Sequence, residues 1–188
     1  MALHFDSTDL VDCGSGTTLD NISHGFAMAW VYLDSSGANQ TIMRKGSGTT
    51  NRHLFNLLGA GPQFLIDRGT TDLAVTATFA NLTGWGTGQW FFIAATWNLS
   101  GANGDQKMFS GNLTTLATEP SAYASQAVGS GAEGSDATDN LFLGNTNSGG
   151  SPLNGRMSVL LLGSGRQLTL GEVQRWQSRP QWVPNTVG

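Results

Sequence analysis

Lysine is almost missing from this chain. Among 188 residues only Lys45 and Lys107 carry an ammonium, and glutamate occurs only at positions 119, 133 and 172. Charged residues make up 12%, about half the share of roughly a quarter usual for soluble domains. Ser, Thr, Asn, Gln and Gly must therefore wet most of the surface. The net charge of −4 comes with no basic run, so there is no electrostatic footprint for a phosphate backbone and nucleic acid is not expected as a partner. Cys13 is the sole cysteine, which excludes an intramolecular disulfide and a Cys-cluster zinc site. No apolar run approaches the roughly 18 residues that span a membrane, so membrane insertion is not expected. Met1-Ala-Leu-His-Phe-Asp6 has neither the charged start nor the apolar stretch of an export signal. Export by the ordinary route is therefore not expected.

What is present is glycine, 26 residues of it, spaced between short apolar runs. That spacing predicts an all-β chain, because its turns need residues tolerant of φ > 0. The runs are Ala2–Phe5, Leu10–Val11, Phe26–Leu33, Leu54–Leu58, Phe64–Ile66, Leu73–Phe79, Trp90–Trp97, Met108–Phe109, Leu113–Ala117, Leu141–Leu143 and Met157–Leu162. Phe26–Leu33 is apolar at successive positions, which suits a central strand covered on both faces. Gly59-Ala-Gly-Pro62 reads as a hairpin turn. Thr169-Leu-Gly-Glu172 has capping-box spacing and opens one short helix to about Gln177. Many strands and one late helix make a two-sheet antiparallel sandwich, with a single domain over residues 1–177. Residues 178–188, with Pro180, Trp182 and Pro184, read as an extended tail.

Several segments, in the right order, resemble the laminin G-like, concanavalin A-like jelly-roll family. Ala2-Leu-His-Phe-Asp6 resembles its opening strand. Gln89-Trp-Phe-Phe-Ile-Ala-Ala-Thr-Trp97 is similar to its G-x-W-x-x-x-A-x-T-W strand, and Met108-Phe-Ser-Gly-Asn112 to its aromatic strand, with the Asn-Gly turn reversed. Asn140-Leu-Phe-Leu-Gly144, Leu153-Asn-Gly-Arg-Met157 and Leu168-Thr-Leu-Gly-Glu172 resemble its last strands and closing helix. The resemblance implies a jelly-roll sandwich and leaves function to the site, since this fold hosts lectins, glycan-cleaving enzymes, adhesion modules and shells.

Hydrolytic relatives carry Glu-x-Asp-x-x-Glu on one strand, and retaining hydrolysis needs its two carboxylates about 5–5.5 Å apart. The three glutamates here are far apart in sequence, so no enzymatic activity is expected. The resemblance implies calcium at a loop rim. Candidate ligands are Asp6 and Asp9, Asn103 and Asp105, and Asp136, Asp139 and Asn140, each of which also suits an Asx turn. Sugars stack on flat rings, which makes Trp85 in its glycine-flanked loop and Tyr123 candidate ligand platforms, with Arg44 and Arg68 as polar contacts. Five Asn-x-Ser/Thr sequons, starting at Asn21, Asn39, Asn81, Asn98 and Asn112, matter only in a eukaryotic secretory pathway.

Two functions follow. One is a virion component, a phage decoration or adhesion protein, made in the cytoplasm and reaching the virion surface by assembly. Arg179 and Trp182 would then form an arm that docks on neighbouring subunits, and a homo-oligomer is open. The other is a lectin-like glycan-binding module of a bacterial surface or polysaccharide-degrading system, extracellular if an export signal has been removed.

Overall fold

A computed structural model describes residues 2–6, 8–46, 53–146 and 148–179. Twelve strands and one helix are found among them. In chain order they are β1 (Leu3–Phe5), β2 (Val11–Asp12), β3 (His24–Leu33), β4 (Gln40–Lys45), β5 (His53–Leu58) and β6 (Gly61–Ile66). There follow β7 (Leu73–Thr76), β8 (Trp90–Asn98), β9 (Lys107–Asn112), β10 (Ser125–Ala127), β11 (Leu141–Leu143), β12 (Gly155–Ser164) and α1 (Leu170–Gln177). They build two antiparallel sheets, a five-stranded one ordered β1-β12-β3-β8-β9 and a seven-stranded one ordered β10-β7-β6-β5-β4-β11-β2.

The five-stranded sheet is apolar on both faces, and each face has its own core. Alternation along a strand sends Ala27, Ala29, Val31 and Leu33 of β3, with Phe91, Ile93, Ala95 and Trp97 of β8, toward the seven-stranded sheet. The intervening Met28 and Trp30 of β3, with Trp90, Phe92 and Ala94 of β8, point the other way, into a second core that Val173 of α1 and Leu168 complete. Helix α1 exists to cover that outer face. Its start is fixed by a capping box, in which Thr169 Oγ1 accepts from the Glu172 amide and the Glu172 carboxylate accepts from the Thr169 amide. Those bonds, with Arg166, hold the Glu172 carboxyl down to about 2.

Three expectations are corrected. Leu113–Ala117 is a turn rather than a strand, because Asn112 Oδ1 accepts from the amides of Thr114 and Thr115 and reverses the chain there. The run from Leu73 ends as strand at Thr76 and gives way to a 3-10 turn at Phe79–Asn81. Strand β4 carries few apolar residues and is absent from the apolar runs read in the sequence. A register shift between Thr41 and Met43 turns both Ile42 and Met43 into the core.

Trp97 anchors the inner core. It is fully buried, stacks on Phe64 at 4.4 Å and donates its indole N–H to the Ile22 carbonyl at 3.1 Å. Trp97→Ala should destabilise the domain by roughly 3–5 kcal/mol, measured by urea unfolding. A loss below about 1 kcal/mol would contradict this packing.

Candidate binding cleft and the buried rim cluster

The loop-bearing ends of the sandwich differ in kind. At one end β4 and β5 meet on Lys45 and His53, which lie opposite each other in register. Lys45 is 1% exposed. Its ammonium donates to Asp20 Oδ1 at 2.9 Å and to the main-chain carbonyls of Asp136 at 2.6 Å and Asp139 at 3.1 Å. Asp136 Oδ2 lies 3.7 Å from the same nitrogen. His53, equally buried, sets Nδ1 3.3 Å from Asp136 Oδ2 and Nε2 3.3 Å from the Ile22 carbonyl, beside the Trp97 ring.

Asn21 has φ of 52°, rare for a side chain other than glycine. In that conformation its amide donates to Asp136 Oδ1 at 2.6 Å, and its side-chain oxygen accepts from the Asp136 amide at 3.3 Å. Burial by itself pushes the Asp136 carboxyl up. Hydrogen bonds from His53 and the Asn21 amide, with the nearby charges of His53 and Lys45, outweigh it and hold the group below its ordinary value.

The opposite end is open. Ser35, Asn39, Gln40, Ser151 and Asn154, with Asp6, are among the residues that line a cleft of about 720 Å³, inside the range of roughly 300–1,000 Å³ usual for ligand sites. Buried Gln40 frames it, donating to the Ser35 carbonyl at 2.9 Å and accepting from the Asn154 amide at 2.7 Å. Asn154 Nδ2 donates to Ser35 Oγ at 2.8 Å, and the Thr41 amide to the Ser151 carbonyl at 2.9 Å. Gly155 follows at φ 153°, where a Cβ would collide with the Tyr32 carbonyl, so only glycine brings β12 this close to β3. Within this frame the Asp6 carboxylate, the Asn39 amide and the Ser151 hydroxyl make no hydrogen bond to another described residue. They are available to a ligand.

The residues singled out in the sequence scatter over both ends. Asp6 lines the open cleft, and Asp9 Oδ2 accepts from the Asp6 amide at 3.1 Å, reaching back across a turn in which the Asp9 amide donates to the Asp6 carbonyl. Asp105 Oδ2 accepts from the Ala102 amide at 2.7 Å, and Asn103 Oδ1 from the Val128 amide at 2.9 Å. Asp136 and Asp139 surround Lys45, and Asn140 Nδ2 donates to the Asp12 carboxylate. Among the described residues no three His, Cys, Asp or Glu side chains are grouped to hold a metal ion.

Arg44 is 3% exposed, and its surroundings include Asp67 and Asp139. Arg68 donates to the carbonyls of Gly131, Leu99, Val128 and Gly129 at 3.0–3.4 Å. Trp85 has burial partners that its glycine-flanked context did not reveal. It stacks on Phe79 at 3.7 Å and meets Phe91 edge-on at 4.9 Å. Tyr123 Oη accepts from the Met108 amide at 2.9 Å and contacts Glu119 at 3.1 Å, while burial pushes its hydroxyl far up. The Arg179 guanidinium lies over the Trp176 ring at 3.6 Å, and Trp182 lies outside the described residues.

Each glutamate has its own partner. Glu119 pairs with Lys107 at 2.7 Å, Glu133 bridges to Arg68 in the backbone, and Glu172 caps α1. The cleft residues Ser35, Asn39, Gln40, Ser151 and Asn154 went unnoticed in the sequence, where short polar loop residues look alike. Lys45 and His53 were missed as a pair because the contacts that bury them are remote in sequence.

The architecture is the concanavalin A-like jelly roll, as the sequence resemblance implied. No family model matches the chain, and no curated protein matches it in sequence. Solved structures share the fold at low identity. The CBM40 of the Ruminococcus gnavus IT-sialidase, bound to alpha2,3 sialyllactose, is 14% identical with a TM-score of 0.55, covering 94% of this chain and 97% of that one. Domains LG4-5 of the mouse laminin alpha1 chain are 14% identical with a TM-score of 0.56, over 90% of this chain and 43% of that one. The enzymatically active domain of bacteriophage CBA120 tailspike protein 2 is 13% identical with a TM-score of 0.54, over 97% of this chain but 28% of that one.

The depressed Asp136 carboxyl has a pH consequence. Its contribution to stability is present above the ordinary aspartate value of about 3.9 and is lost as pH falls through the lower folded value. The melting temperature of the wild type should therefore fall more steeply below about pH 4 than that of Asp136→Asn, which has no carboxyl to titrate there. Equal slopes in a pH series of thermal melts would contradict the arrangement.

Proposed function

We propose that this domain is a non-catalytic glycan-binding module whose ligand sits in the open cleft. The observation that carries the reading is the chemistry of that cleft. Buried Gln40 bridges two loop segments, and amide, hydroxyl and carboxylate groups line the space beside it. Sugar hydroxyls donate and accept in pairs, and such groups answer both roles. The sialyllactose-bound CBM40 of the same fold supports the reading. The separate engagement of Glu119, Glu133 and Glu172 favours a module without glycosidase chemistry.

The cleft differs from what an acidic sugar needs. Its described lining has one carboxylate, Asp6, and no lysine or arginine. A sialic acid carboxylate would meet like charge with no compensating cation. Neutral hexose or N-acetylhexosamine chains are the better match.

A second reading is favoured by the fold shared with the phage tailspike domain. In it the same module sits on a virion surface and meets glycans there, with residues 179–188 docking on other subunits. Comparing the full chain with one ending at Ser178, by light scattering and melting, tests that placement. Lost assembly at an unchanged melting point supports it, and no assembly in either form opposes it.

Titration against a panel of neutral and sialylated oligosaccharides tests the main reading. Neutral glycans should bind, and no turnover should occur. Asn39→Ala and Ser151→Ala should each weaken binding about five- to tenfold, the equivalent of one hydrogen bond of ~1 kcal/mol. Binding untouched by both changes would move the site elsewhere, and no binding across the panel would overturn the function.

A further inference from the structure

The cluster at the closed end has the form of a cation site with its cation supplied by the chain. Four oxygens converge on Lys45 Nζ. They are the Asp20 carboxylate, the Asp136 and Asp139 main-chain carbonyls, and the second Asp136 carboxylate oxygen. Hard oxygens of this kind, carboxylate mixed with carbonyl, are what a bound Ca²⁺ collects. They come from two stretches remote in sequence, at residue 20 and at residues 136–139, and the ammonium bonds to both. We propose that the Lys45 ammonium is the resident cation of this cage, standing where a divalent ion would otherwise sit and closing this end of the sandwich without metal.

Three observations point the same way. Lys45 is buried, so its ammonium is not a solvated surface charge that happens to pass a carboxylate. Removing such a charge from water is costly unless it is surrounded by acceptors, as it is here. The cage is also formed in advance by other bonds. Asn21, held at positive φ, fixes Asp136 from the far side, and His53 faces its Oδ2. Finally, the two carboxylates outnumber the single ammonium charge. A divalent ion would neutralise both, so the cage without the lysine should accept one. The vacated side-chain volume could admit the water that completes its coordination.

The consequence for the native protein is independence from metal, with Asp136 and Asp139 committed to Lys45 rather than to calcium. Thermal melting of the full chain in EDTA and in millimolar CaCl₂ reads this directly. Wild type should melt at the same temperature in both. Lys45→Ala should melt well below wild type in EDTA and recover by about 5 °C or more in calcium, as a ligand that binds only the folded state requires. Lys45→Met fills the stem volume and blocks the site, so it should be destabilised without recovery. Terbium provides a second readout, because Trp97 beside His53 is close enough to sensitise its luminescence. Signal should rise in Lys45→Ala, stay absent in wild type, and vanish in the double variant Lys45→Ala with Asp136→Asn. A wild-type melting point that calcium raises and Asp136→Asn makes insensitive would overturn the proposal. So would a Lys45→Ala variant that gains nothing from calcium, whether it is folded or unfolded in EDTA.

Discussion

Everything in this fold follows from one sheet that cannot be left wet on either side. Strands β3 and β8 lie next to each other and are apolar at nearly every position, so the five-stranded sheet they centre needs a cover on both faces. The seven-stranded sheet covers one face and helix α1 the other. A lone layer would expose Trp30, Trp90 and Phe92, whose burial is worth roughly 1.5–3 kcal/mol or more each. The helix is short, yet the outer core depends on it. Its capping box and the Arg179 cation on Trp176 secure both ends of a two-turn element that would not persist alone.

The remaining freedom lies in the loops, and the chain treats its two ends oppositely. Residues 128–140 are drawn down twice, by Arg68 on the carbonyls of residues 128, 129 and 131 and by Lys45 on those of 136 and 139. A chain with so few cations has placed three of them, Arg44, Lys45 and Arg68, around this one end. Among the described residues, the cleft at the other end has no such clasp. Gln40, a neutral group, sets the spacing there, and the groups facing outward are short and polar. One end is thus clasped by buried cations, and the other carries a framed opening.

The sequence revealed the parts of this plan that depend on near neighbours. The unbroken apolar runs of β3 and β8, the capping box at Thr169 and the hairpin at Gly59 are patterns within a dozen residues, and each is found where expected. Strand β4 was obscured because Gln40, Thr41, Arg44 and Lys45 read as surface residues. Their burial comes from bonds to residues near 20, 139 and 154, which no local pattern announces. Leu113–Ala117 misled for the reverse reason, since its apolar residues look like a strand while the Asn112 side chain takes the amides that a ladder would need. Trp85 was placed in its loop correctly, but the Phe79 ring beneath it is set by a 3-10 turn that the sequence read as strand.

The position of β12 shapes how this chain must fold. In the five-stranded sheet β12 is not an edge. It is inserted between β1 and β3, with Met157 paired to both Leu3 and Val31. Until residues 155–164 have left the ribosome, β3 presents an unpaired edge and β1 has no sheet to join. The first and last strands thus meet only when nearly all of these residues are synthesised. Such closure of distant segments makes folding slow and leaves an apolar, edge-open intermediate that is prone to aggregate. The long span of residues between β3 and β12 is tolerated because the β4–β7 meander pairs each strand with its neighbour in sequence, so half of the sandwich can assemble while the other half waits.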